Sequence, residues 1–234
     1  TAAGVLTAKR VLDSTPLYDA VATMDTVTLV RSAIRGVLSV ADPGLGVELR
    51  AVLRRDDDYT TAGKPVCEWD DPDARRELVD ALARDGLAVL GVLEGLVVDA
   101  QLTQRAELLA TVIGQDLDIG EDGIFRIVRR VAKDRVISTV DPTARHGHKT
   151  AARGFDGHKG HIGIDPDSEI ITATKVTPGN VADGSVAIDL IADLVNSETS
   201  DTVETSETSE TSETSETVED GETVEDGETV EDDG

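Results

Sequence analysis

Residues Gly154–Asp183 read GFDGHKGHIGIDPDSEIITATKVTPGNVAD and contain the clearest strand–turn–strand pattern of the chain. Ile162 and Ile164 alternate with a histidine and a glycine, which is the two-residue period of a half-buried strand. The run Asp165–Ser168 predicts a turn, because proline presets φ and an aspartate side chain can bond the backbone. Glu169–Thr177 is rich in β-branched residues and predicts the second strand of a hairpin.

A helix is predicted after the hairpin, from apolar residues at Val186, Ile188, Leu190 and Leu194. A surface hairpin of this kind occurs in any α/β or α+β domain, so the pattern alone leaves the architecture open. The fold class expected from the whole chain is α/β (α+β).

The composition limits the classes of protein to consider. The chain has 234 residues, enough for one large domain or two small ones. No signal peptide is expected, and no apolar run reaches the ~20 residues that cross a bilayer. The single cysteine, Cys67, excludes an intramolecular disulfide and fits a reducing, cytoplasmic location.

The net charge of −25 is concentrated in one segment. Ser197–Gly234 holds 16 Asp and Glu and no Lys or Arg, while the rest of the chain carries 31 acids against 22 bases. The segment consists of Thr-Ser-Glu triplets followed by copies of Val-Glu-Asp-Gly-Glu-Thr. Its small apolar surface cannot offset chain entropy, which predicts a disordered acidic tail. A solvated spacer and an acidic ligand for a basic partner are both open interpretations.

Within Lys9–Thr15, Val11 and Leu12 predict a short buried strand that ends in Asp13 and is closed by Ser14, Thr15 and Pro16. An acid at the carboxyl end of a buried strand is where α/β folds often place chemistry. It is equally where the N-cap of a following helix would lie. Position alone therefore leaves both roles open for Asp13.

Helices are predicted over much of the next hundred residues. Apolar residues recur at three- and four-residue steps from Leu17 to Val37, and that helix is expected to end before Pro43. The segment Gly44–Val66 is poorly patterned and is expected to be a solvated loop. A second helix is predicted to begin at Asp71, and its three glycines weaken it. Gln101–Ile113 is a third helical candidate.

A basic segment follows, between residues 126 and 161. Its cations are Arg126, Arg129, Arg130, Lys133, Arg135, Arg145, Lys149, Arg153 and Lys159. A polyanion is the natural partner of such a patch, because bases that neutralise phosphates release counterions. A solvated face that balances acids elsewhere is the alternative. All four histidines lie in this segment, but their spacing matches no familiar zinc-binding pattern. Cys67 and Trp69, which precede the segment, are interpreted as packing residues.

Five motifs occur in order along the chain. They are VLDST from Val11, AVATMDTVTLVRSAIRGV from Ala20, CEWDDPDARRELVDAL from Cys67, DRVISTVDPTARHGHKT from Asp134 and FDGHKGHIGIDPDSEIITATKVTPGNVADG from Phe155. Together they resemble the middle of a bacterial insertion-sequence transposase of the DDE type. The resemblance covers roughly Lys9–Asn196, and the last motif is the most specific.

The resemblance implies part of an RNase H-like core, with three strands and a helix. Such enzymes use three carboxylates to hold two divalent metal ions, Mg²⁺ or Mn²⁺, for DNA cleavage and strand transfer. Asp13 would be the first catalytic, metal-binding carboxylate. Contacts with DNA would come from the basic segment, through Arg126, Arg129, Arg130, Arg145, Lys149, Arg153 and Lys159.

The implied organisation has four parts. They are a first core strand at 1–16, a mostly helical insertion at 17–125, the basic segment with the hairpin and its helix at 126–196, and the acidic tail at 197–234. The expected partners are DNA and, as an open question, further copies of the chain. No membrane is expected as a partner, and the implied location is the bacterial nucleoid.

The chain departs from the family pattern in one respect. The family places its second aspartate in a motif like Asp-x-x-Tyr/Phe and its glutamate on a later helix, whereas only acidic repeats follow Asn196. Neither Asp141 nor Asp183 matches that second aspartate. The expectation is an internal or truncated piece that is inactive alone. A non-enzymatic DNA-binding or regulatory fragment is the alternative, and a product without a stable fold is the third.

Overall fold

The computed structural model describes residues 6–17, 23–150 and 152–195. Thr1–Leu194 form one compact unit, and of the second unit, Val195–Gly234, only Val195 is described. The predicted disorder of the tail at 197–234 therefore lies outside the described residues. Within them, helices and antiparallel strands combine in the α+β class that the sequence predicts.

Four helices occupy the region between the first strand and the basic segment, and each begins after an aspartate. They are α1 (Thr26–Val40), α2 (Pro43–Ala51), α3 (Pro72–Leu93) and α4 (Ala100–Asp116). The carboxylates of Asp25, Asp42, Asp71 and Asp99 each accept a first-turn N–H group at 2.8 or 2.9 Å. These caps satisfy donors that have no partner inside the helix. The predicted start at Asp71 and the predicted end before Pro43 are confirmed.

The helices pack around one apolar core. Its fully buried members include Leu29, Ile34, Leu82, Leu109 and Val112. Cys67 and Trp69 are half-buried against this core. Aliphatic side chains thus supply the core of a chain that is poor in aromatics.

Helix α3 is continuous although it contains three glycines. A Cβ added to Gly86 would lie 2.6 Å from Cδ1 of Ile113 on α4. Glycine therefore allows the two helices to approach closely, and packing against α4 offsets its low helix propensity. The predicted weakening does not break the helix.

Two predictions for the helical region are wrong. Helix α1 begins at Thr26 rather than at Leu17, which lies in the first strand. Helix α2 extends from Pro43 to Ala51 and so occupies the first part of Gly44–Val66, the segment expected to be a loop. Its only buried residue is Leu49, so apolar periodicity gives no signal, and the cap at Asp42 followed by proline is the signal that sequence reasoning missed.

Two buried polar contacts tie the segment after α2 to the helices. Arg31 on α1 donates to both carboxylate oxygens of Asp57, at 2.7 and 2.8 Å. Tyr59 is 1% exposed and donates its hydroxyl to Asp85 on α3 at 2.7 Å. The segment is therefore part of the packed structure and not a solvated loop.

The remaining strands form an antiparallel sheet and a small separate ribbon. The sheet contains β1 (Val11–Leu17), β4 (Arg145–Thr150), β5 (Arg153–Ile164) and β6 (Ile171–Pro178), and the ribbon contains β2 (Leu117–Ile119) and β3 (Phe125–Ile127). Strand β5 is central, because β1 and β6 flank its second half while β4 pairs with its first half. The predicted hairpin of β5 and β6 is confirmed.

The turn of that hairpin has the predicted chemistry. Asp165 accepts the backbone N–H groups of Asp167 and Ser168, at 3.0 and 2.9 Å. After β6, a 3-10 helix (Asp183–Val186) leads into α5 (Ala187–Leu190). The predicted helix is present, and its regular part is one turn long.

The buried face of β5 is the opposite of the one that apolar alternation suggests. His161 is 1% exposed and Gly163 is buried, whereas Ile162 and Ile164 are half-buried. The segment after β6 covers the histidine side, where a Cβ on Gly163 would lie 2.9 Å from the carbonyl oxygen of Leu190. None of the helices in the described ranges combines the length and hydropathy that a bilayer crossing needs.

Candidate active site on the first strand

Asp13 lies in the middle of β1 and not at its end. The strand continues through Ser14, Thr15 and Pro16, and Asp13 stands opposite Ile162 of β5. A proline is compatible with this strand position because an edge strand leaves one side of its backbone unpaired. The prediction that the strand is buried and ends at Asp13 is wrong, since Val11 is 52% exposed.

The carboxylate of Asp13 is exposed and polarised by two donors. Its side chain is 72% exposed. Oδ1 accepts the backbone N–H of Ser14 at 2.7 Å and the ammonium group of Lys149 at 3.3 Å. These contacts, with the N–H of Ser14 as the larger cause, hold the pKa of Asp13 below its ordinary value. The group is thus a carboxylate at neutral pH, open to solvent on one side.

Lys149 on β4 contacts β1 at three oxygens. Besides Asp13, its ammonium group donates to the carbonyl oxygen of Ser14 and, at 3.1 Å, to the Ser14 hydroxyl. The two residues joined at Asp13 are 136 positions apart in sequence. The basic segment therefore reaches the candidate carboxylate directly.

Asp183 is placed on the other side of Ser14. The Ser14 hydroxyl donates to Asp183 at 2.9 Å, and the ammonium group of Lys159 donates to the same carboxylate at 3.1 Å. Burial tends to raise the pKa of Asp183, but the bonds from Lys159 and Ser14 outweigh it and lower that pKa. Asp183 matches no family aspartate in sequence, and its place beside Ser14 follows from the chain returning over the sheet after β6.

The four histidines are distributed over separate contacts. Buried His161 bonds Thr177 through Nε2 at 2.8 Å, and burial lowers its pKa. His146 bonds Asp156 at 2.7 Å. His158 lies 3.2 Å from the Thr143 hydroxyl, and the ring centroids of His146 and His148 are 4.8 Å apart.

The oxygen atoms near Asp13 are of the type that a hard divalent cation binds, but too few of them are carboxylate oxygens for a two-metal site. Carboxylate, carbonyl and hydroxyl oxygens are the ligands that Mg²⁺ prefers, and it binds through one or two carboxylates with water completing the shell. Within residues 6–17, 23–150 and 152–195, no group of three or more His, Cys, Asp or Glu side chains is arranged to hold a metal ion. The described residues thus place Asp13 and, across Ser14, Asp183 near these oxygens, and they form no group of three metal ligands.

The seven residues predicted to contact DNA fall into two groups. Four are bound within the protein: Arg126 to Asp122, Arg145 to Asp134, Lys149 to Asp13, and Lys159 to Asp183. Lys159 is also 7% exposed. Arg129, Arg130 and Arg153 are exposed and pair with no carboxylate in the described part of the chain. Of the seven, these three are the ones whose charge is offset by no carboxylate of the described residues.

One protein-family model matches part of this chain. Residues 93–203 match the family model described as the transposase DDE domain. This match supports a DDE transposase domain in that part of the chain. This family has an RNase H-like fold, acts on DNA and generally uses divalent metal ions. No curated protein and no solved structure matches the chain.

The matched segment determines which residues the family model covers. It begins at Leu93 and includes α4, both strands of the ribbon, and β4, β5 and β6. The family model does not cover β1 and therefore gives no information about Asp13. The link between Asp13 and the transposase domain is the pairing of β1 with β5.

Proposed function

We propose that Asp13 is the first metal-binding carboxylate of this transposase domain. The observation that carries the proposal is the register of β1 on β5, which builds Asp13 into the same sheet as the matched segment, opposite Ile162. Its carboxylate is ionised and largely open to solvent. A bound divalent ion supplies Lewis-acid stabilisation of charge on phosphodiester oxygens. Asp13 would anchor that ion, and the backbone N–H of Ser14 fixes the orientation of its carboxylate.

We also propose that DNA lies along the basic segment and is held through its phosphates. Arg129, Arg130 and Arg153 are the residues with charge available for this role. Guanidinium groups bind phosphate oxygens in a bidentate manner and release counterions when they do so. Arg126, Arg145 and Lys159 would contribute less, because each already shares its charge with an aspartate.

We propose further that these 234 residues alone bind DNA without cleaving it. Cleavage by two metal ions needs several carboxylates, and Asp13 is the one that the resemblance assigns to this chain. The helical part between β1 and β4 would be an insertion in the core, as the predicted division at 17–125 has it. The chain would then act at DNA either as part of a larger active assembly or as a regulatory fragment.

The first experiment incubates the purified chain with supercoiled plasmid and Mg²⁺ or Mn²⁺ and follows both binding and nicking. We expect binding without nicking in the wild type and in Asp13→Ala. Asp189→Ala serves as the matched control, because Asp189 is also an exposed carboxylate paired with a lysine, Lys175. Metal-dependent nicking that Asp13→Ala abolishes and Asp189→Ala preserves would show that the chain is active alone.

The second experiment separates DNA binding from the effect of the acidic segment. Removing Ser197–Gly234 deletes 16 acids and no bases. If the tail competes with DNA for the basic segment, the shortened chain binds DNA more tightly, and the difference shrinks as salt is added. Equal affinities would remove the competition, and absence of binding by both forms would overturn the DNA-binding proposal itself.

A further inference from the structure

Lys149 provides a direct link between the basic segment and Asp13. It belongs to β4, beside the irregularity in pairing between His148 and Thr150. Its side chain reaches from there to β1, where the ammonium group contacts Asp13 and Ser14. The side chain is 36% exposed, so the ammonium group is accessible from solvent. A residue of the DNA-binding class thus neutralises the carboxylate assigned to the metal.

The oxygens around this ammonium group are those that a divalent cation would use. They are a carboxylate oxygen at 3.3 Å, a hydroxyl oxygen at 3.1 Å and a backbone carbonyl oxygen. A lysine ammonium is a compact point charge with three donors and can satisfy all three acceptors at once. A metal ion that binds Asp13 therefore meets a positive charge already placed on its ligand.

We propose that Lys149 couples DNA binding to metal binding: its ammonium group pairs with Asp13 when DNA is absent and moves to a phosphate when DNA is present. This inference rests on the proposed function for its DNA step, while its DNA-free step stands on the contact between Lys149 and Asp13. A divalent ion then binds Asp13 more tightly on the DNA complex than on the free chain.

The physical basis is that one ammonium group cannot compensate two anions in different places. In the free chain the metal ion must displace Lys149 or bind close to it against charge repulsion. When a phosphate takes the lysine, the carboxylate is uncovered and the repulsion is removed. By linkage, the metal ion must then strengthen DNA binding by the same factor. For a largely exposed pair the expected factor is about two- to fivefold.

The test needs a readout at Asp13 itself, because the acidic tail also attracts Mn²⁺. Paramagnetic broadening of the Ser14 amide resonance during a Mn²⁺ titration of the isotope-labelled full chain provides it. Without DNA, Lys149→Met should reach half-broadening at about two- to fivefold lower Mn²⁺ than the wild type. Lys149→Gln should behave like Lys149→Met. Lys133→Met is the matched control, because it removes the charge of an exposed lysine elsewhere in the basic segment.

The second arm adds short duplex DNA at saturation. The wild type should shift toward the Mn²⁺ affinity of Lys149→Met, while Lys149→Met should change little with DNA. The inference would be overturned if the wild type and both Lys149 variants gave equal Mn²⁺ titrations without DNA. It would also be overturned if Lys133→Met gained as much Mn²⁺ affinity as Lys149→Met. If the DNA-free difference is found but DNA does not bind, the DNA-binding proposal fails and the Lys149–Asp13 contact stands. Asp13→Asn in the Lys149→Met background should abolish the Ser14 broadening, and its persistence would place the ion elsewhere.

Discussion

Among the seven residues predicted to contact DNA, Arg129, Arg130 and Arg153 are exposed and share their charge with no carboxylate of the described residues. Replacing all three with alanine should lower the salt dependence of DNA binding, because each phosphate contact contributes about 0.9 to the slope of log K against log salt. Loss of three contacts therefore reduces that slope by about 2.7. Between 50 and 200 mM salt, the wild type should lose about 40-fold more affinity than the triple variant.

The assay is fluorescence anisotropy of a labelled duplex titrated with protein at several salt concentrations. Arg126→Ala is the control within the same stretch, since the guanidinium of Arg126 is bound to Asp122 at 2.8 Å through one of its nitrogens. Its slope should change by clearly less than about 0.9, the value for one free contact. The reasoning is refuted if Arg126→Ala lowers the slope as much as Arg130→Ala does, or if the triple variant keeps the wild-type slope.

Three further outcomes concern stability and are measured by urea unfolding. Arg31→Met should lower the free energy of unfolding by about 3–5 kcal/mol, because it leaves the buried carboxylate of Asp57 without its partner. A decrease of less than about 1 kcal/mol would contradict this. Arg31 also holds the pKa of Asp57 low, so the wild type should lose stability as pH falls below about 4, and Arg31→Met should show a shallower loss. Gly147→Ala should lower the free energy of unfolding by about 3 kcal/mol, because its Cβ would lie 2.1 Å from the Gly179 carbonyl oxygen. The Cβ of Gly91→Ala meets no atom within 4 Å, so this helical substitution should raise the free energy of unfolding by about 1 kcal/mol.

The sequence predicts the elements that have strong local signals. The β5–β6 hairpin, the start of α3 at Asp71 and the helix at 101–113 all depend on turn, capping or periodic residues that act within a few positions. These signals are local because the atoms that satisfy one another are close in sequence. They are therefore visible without knowledge of the fold.

Other features depend on contacts between distant residues and could not be predicted in this way. The strand through Asp13 extends to Leu17 because β5 pairs with every residue of it. His161 is buried because the segment after β6 covers its side of the sheet. In the candidate site, sequence supplied Asp13 through a family resemblance, but the ion pair with Lys149 spans 136 positions and appears only in the structure.

The pairing of β1 with β5 also has a consequence for the synthesis of the protein. Leu17 pairs with His158, so at least 141 residues must be translated after β1 before its partner exists. At 5–20 residues per second the ribosome needs roughly 7–30 s for this stretch. The helical core is complete earlier, since its members lie between Val27 and Val136. The first strand therefore stays unpaired for this whole interval, and for roughly the last 1–4 s of it, between Val136 and His158, it does so beside a completed helical core. In this interval a chaperone that binds extended segments would find Val11–Leu17 available.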